Sequence, residues 1–520
     1  MVGGSFARNK ELWIIFGLTL VVGILSVSRD SLWIDEAQSA FPAVQENLAG
    51  WWASIIKGHG SEVQMPGYLL LLWIWEKAFG ASEYALRSLN MIFLLLAQIA
   101  WLTCHALCRS RRLLAAATLT VPMVWAYMNE ARPYMMIFAG ACLTVSGLLD
   151  LSLPDGFQTE AWAPWRYFAG VTLMVGASGL TLPWVALSLV AAWLLSRRKD
   201  NDCRWIFPLL LTTSVTLLAV SYNLWAVMIG AQASGVASTS LASLAFASLE
   251  ISGLSGLGPG RVELRASGTT ALAAHLPELL TAAAIVIPSL LISTREALRS
   301  LPKRAVLVVG SLSVCSSLGV VLVGVVGGFR VVGRHLMFLV PIVCLMLAVG
   351  LARLRSRNRL SAYVLGSGLL AMWIASSLYL RFEARHAHDD YKHAAAVART
   401  AEEEGQVVWW SADAEAALYY GVSLDADEGS SAISVISPRK QVLQTLPPPD
   451  IVVLSKPDIY DSRGAIRSYI RTRKMILLAR LQAFEIYRSQ DPQASYGKLF
   501  PGVAARTTPA GRVGFHRGDR

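Results

Sequence analysis

Between Leu12 and Leu380 the chain returns repeatedly to apolar runs long enough to cross a bilayer, and nothing else restricts its fold so strongly. A hydrocarbon core about 30 Å thick takes roughly 20 apolar residues of helix. Within that core each segment must pair its own backbone N–H and C=O groups, which makes helices of runs like these. The runs lie near residues 12–28, 85–107, 113–128, 134–151, 167–180, 181–196, 205–229, 270–293, 305–326, 335–352 and 360–380. They number about eleven, and 167–180 is the weakest, being short and rich in glycine.

The placement of Lys and Arg orients these spans. With a cytoplasmic N-terminus, the inside segments carry Arg8 and Lys10, then Arg109, Arg111 and Arg112, then Arg197, Arg198 and Lys199. Arg295, Arg299, Lys303 and Arg304 follow, and then Arg353, Arg355, Arg357 and Arg359. Only residues 151–166 break the rule, with Arg166 alone. The expectation is a multi-pass protein of the inner (plasma) membrane, with residues 381–520 outside. The net charge of +11 then belongs mostly to the inside loops, and nucleic acid is not implied as a partner. The first run, ending at Ser26-Val27-Ser28, is long enough to span and opens a series, so it reads as a retained helix rather than a signal peptide. Cys104, Cys108, Cys142, Cys315 and Cys344 lie in or beside spans and Cys203 inside, which gives neither a disulfide framework nor a zinc spacing.

Three regions fall outside the spans. Residues 29–84 form the first outer segment, where 43–57 and 67–79 carry Trp51, Trp52, Ile55, Tyr68, Leu72, Trp75 and Phe79 at helical spacing. These pieces are too short to cross and suit the membrane interface. Residues 230–269 are rich in Gly, Ser and Ala, and read either as a lid or as a plain connection. After Leu380 strands and helices alternate: a helix over 389–404, a strand at 407–410, a helix near 413–420, a strand at 451–454, a helix near 461–475 and a strand at 484–488. That pattern predicts a small α/β domain. The division is therefore a membrane part (1–380), an α/β domain (381–490) and a disordered, Pro/Gly/Arg-rich tail (491–520).

Charges gather at the outer mouths of the spans. Asp35 and Glu36 follow the first span, Glu130 and Arg132 mark a tight outer turn, and Arg330, Arg334 and His335 flank the start of the tenth span. A carboxylate there suits a general base, and a guanidinium suits phosphate oxygens. Each has a plainer reading: helix capping for Asp35 and Glu36, a local Glu–Arg pair for Glu130 and Arg132, and snorkelling for the arginines. Tyr68 and Tyr134 are candidate binders or interfacial packing. Carboxylates that cluster are compatible with a divalent cation, but no metal site or other cofactor is required.

Four stretches resemble a known family. They are Asp35-Glu36-Ala37; Pro66-Gly67-Tyr68-Leu69-Leu70-Leu71 with Phe79-Gly80-Ala81-Ser82-Glu83-Tyr84-Ala85-Leu86-Arg87; Asn129-Glu130-Ala131-Arg132-Pro133-Tyr134; and Gly333-Arg334-His335-Leu336-Met337-Phe338-Leu339-Val340-Pro341. Their order and sidedness resemble bacterial glycosyltransferases of the GT-C superfamily, the relatives of protein O-mannosyltransferases and of the aminoarabinose transferases of lipid A. The chain departs from the family at Gln64-Met65-Pro66, where His-Pro-Pro is common. The resemblance implies transfer of a sugar from a polyprenyl-phosphate-linked donor to a hydroxyl of a lipid, glycan or protein, on the extracytoplasmic side. It implies Asp35 as base, Glu36 and Glu130 in support, and Arg132, Tyr134, Tyr68, Arg330, Arg334 and His335 around the donor phosphate. The competing classes are a lipid-linked oligosaccharide flippase or other transporter, and an O-antigen polymerase or ligase. Transporters place ionisable groups near mid-membrane, whereas here they collect at the outer ends.

Overall fold

The computed structural model describes residues 3–58, 60–153, 161–197, 203–231, 238–424, 431–490, 505–507 and 513–515. By compactness the chain forms two units. One comprises Met1–Ser28 with Gln45–His386, and the other Arg29–Val44 with the chain from Ala387 onward. Residues 29–84 are thus divided between them.

The first unit is helical. Among the described residues, eight helical segments are long and apolar enough to cross a membrane: Glu83–Leu102, Tyr134–Leu151, Gly179–Ser196, Cys203–Met228, Arg261–Ser300, Lys303–Val326, Gly333–Arg357 and Arg359–Phe382. Helix starts in this unit, long and short, are written in the sequence. Ser82 caps Glu83–Leu102 by accepting the Ala85 N–H at 3.2 Å, and Pro122, Pro164, Pro183, Pro277 and Pro341 each stand in a first turn, where a missing N–H costs nothing. The expected run 113–128 is instead two helices, Arg111–Thr120 and Pro122–Met128. Pro122 forces Val121 into an extended conformation and ends the first of them. Run 167–180 is a helix of 15 residues, Ala163–Ala177, below spanning length.

The two interfacial pieces are the helices Leu48–Lys57 and Pro66–Phe79. Residues 238–275 hold more structure than a plain connection: a helix Leu241–Ser252 capped by Ser240, a 3₁₀ turn Ser255–Leu257, a short helix Arg261–Ser267 and a 3₁₀ stretch Gly268–His275. Tyr134–Leu151 is buried along its whole length. It packs on Ala163–Ala177 through small residues. A Cβ on Gly170 would lie 2.7 Å from the Gly140 carbonyl oxygen and 2.6 Å from the Thr144 hydroxyl. At the far end of this pair, the fully buried Asp150 holds Arg166 and accepts the Ala106 N–H at 2.9 Å.

The second unit is an α/β layer. Strands β1 (Val408–Ser411), β2 (Ala432–Ser434), β3 (Ile451–Ser455), β4 (Ile476–Leu481) and β5 (Phe484–Arg488) form one sheet in the order β2-β1-β3-β5-β4. The β1 pairings to β2 and β3 are parallel, and β5 pairs antiparallel with β3 and β4. β1 and β3 are buried at every residue, as strands covered on both faces must be. Val408 and Trp410 face a core shared with Ala37, Tyr391, Ala394 and Phe484, while Trp409 faces Ile466 and Ile470. The strands at 407–410, 451–454 and 484–488 fall where the sequence predicts them; β2 and β4, short or half-exposed, have no such signal. The tail expected to be disordered lies outside the described residues, apart from the antiparallel pair Ala505–Thr507 and Val513–Phe515.

Candidate functional site

In the second unit, Asp35 and Glu36 stand in the first turn of the helix Ile34–Ala43. A helix turns by about 100° per residue, so the two carboxylates point apart. Glu36 is fully buried. Its Oε2 accepts the Trp33 N–H at 3.4 Å and lies 3.4 Å from Nδ1 of His388, whose ring also packs on Trp33. The same entry loop is tied down twice more. The Leu32 N–H donates to the Tyr420 hydroxyl at 2.8 Å, and the Lys392 N–H donates to the Ser31 hydroxyl at 3.0 Å. Asp35 is half-buried, so a solute can reach it where it cannot reach Glu36.

The other candidates belong to the first unit. The turn between Pro122–Met128 and Tyr134–Leu151 is closed by the Arg132 N–H donating to the Glu130 carbonyl at 2.7 Å. The buried Asn90 amide braces it by donating to the same carbonyl at 2.7 Å. The Glu130 and Arg132 side chains go to partners that sequence reasoning did not name. Glu130, 1% exposed, meets Arg261 at 3.0 Å, and its second oxygen is buried without a hydrogen-bond partner. Arg132 meets Glu62 at 2.9 Å, with both side chains largely shielded. Glu62 lies in the 3₁₀ turn Ser61–Gln64, immediately before the point where the chain departs from the family pattern.

The opening of the Gly333–Arg357 segment is not yet α-helix. Gly333–Leu339 is a 3₁₀ turn, and the α-helix starts at Val340. Glu250, from Leu241–Ser252, accepts the Gly333 N–H at 2.8 Å. A Cβ at Gly333 would fall 2.6 Å from that carboxylate oxygen, so only glycine permits the approach. Burial pushes the Glu250 carboxyl above its ordinary value, against the opposite influence of Arg261, the Gly333 N–H and Arg334. The Arg334 guanidinium lies 5.9 Å from the centre of the Tyr134 ring, whose edge meets Tyr127 at 4.8 Å. His335 turns back, its Nδ1 accepting the Val332 N–H at 3.3 Å. Arg330 is exposed, and Tyr68 is fully buried in Pro66–Phe79.

The structure thus brings Glu130, Glu250, Arg261, Arg334 and Tyr134 into one electrostatic neighbourhood, with Arg132 and Glu62 joined to the same turn. Glu250 and Arg261 were the omissions. Their only sequence signal was charge in a segment, residues 230–269, whose other charged residues are Glu263 and Arg265 alone. Among the described residues, no three His, Cys, Asp or Glu side chains converge as metal ligands do.

The segment bearing Arg261 is anchored to the end of the last span. Arg385 reaches Nδ1 of His275 at 3.0 Å and donates to the Gly256 carbonyl at 3.3 Å, while Nε2 of His386 lies 3.0 Å from that carbonyl. Burial lowers the His386 pKa to about 4, so the ring is neutral near pH 7.

No protein-family model matches the sequence, and no curated protein matches it. Solved structures do. ArnT from Cupriavidus metallidurans in the apo state superposes with a TM-score of 0.55 at 13% identity, covering 92% of this chain and 98% of that one. The same protein bound to undecaprenyl phosphate gives 0.54 at 13% identity, covering 94% and 99%. The archaeal oligosaccharyltransferase AglB from Archaeoglobus fulgidus, in complex with an inhibitory peptide and a dolichol-phosphate, superposes more loosely, at 0.49 and 10% identity over 98% and 74%. Along nearly its whole length, the chain shares the fold of ArnT.

Proposed function

We propose that this protein is an integral-membrane glycosyltransferase. It moves a sugar from a polyprenyl-phosphate-linked donor to a hydroxyl of a lipid, glycan or protein acceptor at the extracytoplasmic face. The observation that carries the reading is the cluster of guanidinium and carboxylate groups around the Glu130–Tyr134 turn and the Gly333–Leu339 turn, in which the Arg132–Glu62 pair and the Glu130 carboxylate are shielded while Arg261 stays exposed. Arginines held by protein carboxylates outside a polar solvent are costly as mere structure. They are useful where a lipid phosphate must be neutralised at lowered dielectric. The fold likeness supports the same reading, since the ArnT structure that superposes here has undecaprenyl phosphate bound.

In this reading Arg132 and Arg334, with Arg330 at the entrance, hold the donor phosphate. Tyr134 and Tyr68 shape its surroundings, and His335 fixes the turn that presents Arg334. Asp35 takes the proton of the acceptor hydroxyl as its oxygen attacks the sugar carbon, and the phosphate leaves with the electron pair of the broken bond. Of the adjacent carboxylates, Asp35 suits the base because it is reachable, whereas Glu36 is engaged in the core. Glu130 sets the charge of the phosphate pocket through Arg261.

Native mass spectrometry of the detergent-purified protein tests the proposal. A long-chain polyprenyl phosphate should be retained. Arg132→Ala and Arg334→Ala should each weaken retention, while Arg355→Ala, which faces Tyr363 at 5.6 Å elsewhere, should not. Equal loss in all three would reduce the effect to general membrane charge and refute the assignment.

A further inference from the structure

We propose that Glu250 is a resident anion in the phosphate pocket, a carboxylate that the lipid phosphate must displace in order to bind. The inference rests on the function proposed above and concerns how its donor site is controlled.

The carboxylate occupies a place built for an anionic oxygen. It takes the Gly333 N–H at 2.8 Å, on a backbone left bare because a Cβ there would lie 2.6 Å from its Oε2. Arg334 follows directly in the chain, and both Arg334 and Arg261 stabilise the ionised form of Glu250. An exposed backbone N–H flanked by guanidinium groups is the usual composition of a phosphate cradle. Here a protein side chain fills it.

Counting charge shows why the occupant must give way. Glu130 and Glu250 balance Arg261 and Arg334. A phosphodiester adds one negative charge, and the phosphomonoester released by transfer carries between one and two near neutral pH. Glu130 is the acid that stays, because it is 1% exposed and fixed to Arg261 at 3.0 Å. Glu250 is half-buried, at the end of a short helix with Gly253 in a left-handed cap just behind it. It therefore either swings off Gly333 or takes up a proton.

The groups that set this choice are Arg261 from its own outer segment, Arg334 and the Gly333 N–H from the 3₁₀ turn, and Glu130 and the Tyr127 hydroxyl from the turn opposite. Burial already favours the protonated form, and an arriving phosphate favours it further. Binding consequently takes up a proton. Wild-type affinity should fall as pH rises above the titration of Glu250, and that component should vanish in E250Q.

The experiment titrates the full-length protein in detergent with a long-chain polyprenyl phosphate, and separately with inorganic phosphate, following thermal shift and native mass spectra. E250Q should bind the lipid at least tenfold more tightly, the scale expected when a like charge is removed from an anion site. Glu250→Asp, which keeps the charge, should not tighten binding, and it preserves the test should the glutamine variant fold poorly. Tightening toward both ligands assigns the pocket to the phosphate group itself, and tightening toward the lipid alone assigns it to the headgroup with its chain; either supports displacement. Unchanged or weaker lipid binding by folded E250Q overturns the inference and leaves the function standing. If neither wild type nor E250Q binds the lipid although both are folded, the proposed function fails and the inference falls with it.

Discussion

At the scale of single residues, a shared neighbourhood in sequence proved a poor guide to a shared role. Asp35 and Glu36 are adjacent, yet Glu36 is buried against Trp33 and His388 while Asp35 stays reachable. The opposed directions follow from helical geometry alone, so this much was legible. The partner of Glu36 was not, because His388 lies 352 positions away and nothing in its local sequence marks it. The same holds for Glu130 with Arg261 and for Arg132 with Glu62. The turn was readable from Asn-Glu-Ala-Arg-Pro, but its ion pairs close over distances that only the tertiary fold brings together. A test belongs here. Asp35→Asn keeps the shape of the side chain and removes its basicity, so turnover should fall about 10²–10⁴-fold with the melting temperature unchanged. Turnover would be measured with a purified polyprenyl-phosphate sugar and membrane extract as the acceptor source. Activity retained in that variant would rule out Asp35 as the base.

At the scale of elements, the apolar runs revealed where helices lie but not how they are interrupted or paired. The break at Val121–Pro122 follows from a proline rule that hydropathy does not carry. The 3₁₀ opening of the Gly333–Arg357 segment, which turns the Gly333 N–H toward Glu250, left no periodic signal. Helix pairing in a membrane depends on small residues that let backbones approach, since apolar contact with lipid is as good as contact with protein. Gly140, Gly147 and Gly170 make that seam between Tyr134–Leu151 and Ala163–Ala177. Gly170→Leu would drive a side chain into the Gly140 carbonyl and the Thr144 backbone, both within 2.7 Å of the new Cβ. A loss of at least about 1–3 kcal/mol is expected, seen as a lower melting temperature and a reduced monodisperse fraction on fluorescence-detected size exclusion. Because Tyr134 begins the displaced helix, lipid retention should fall as well.

At the scale of the whole molecule, the alternation of basic connections predicts an architecture that hydropathy alone leaves ambiguous. Among the described residues, eight helical segments are long and apolar enough to cross a membrane and the remaining apolar runs are short or broken, so counting spans cannot orient the chain. Arginine and lysine placement can. A reporter active only outside the cytoplasm, fused after Arg385, should be on, and a cytoplasmic reporter at the same position should be silent. The reverse result would put the α/β unit inside and remove the extracytoplasmic chemistry proposed for it. The α/β unit itself was largely readable after Leu380, because its buried strands are continuous apolar runs. Its recruitment of Arg29–Val44 was not, since that stretch sits beside a span and looks like loop.

That recruitment has a consequence in time. The helix carrying Asp35 leaves the ribosome well before Tyr391, Trp410, Tyr420 and Phe484, which complete its unit and come more than 340 residues later. At synthesis rates of about 5–20 residues per second, the early segment waits on the order of tens of seconds for its partners. Throughout that interval Glu36 has no core to enter and the turn presenting Asp35 is unset. A nascent chain stalled in the membrane part therefore carries Asp35 on a turn that its core has not yet set, and any chemistry at that carboxylate waits until the chain from Ala387 through β5 has been made.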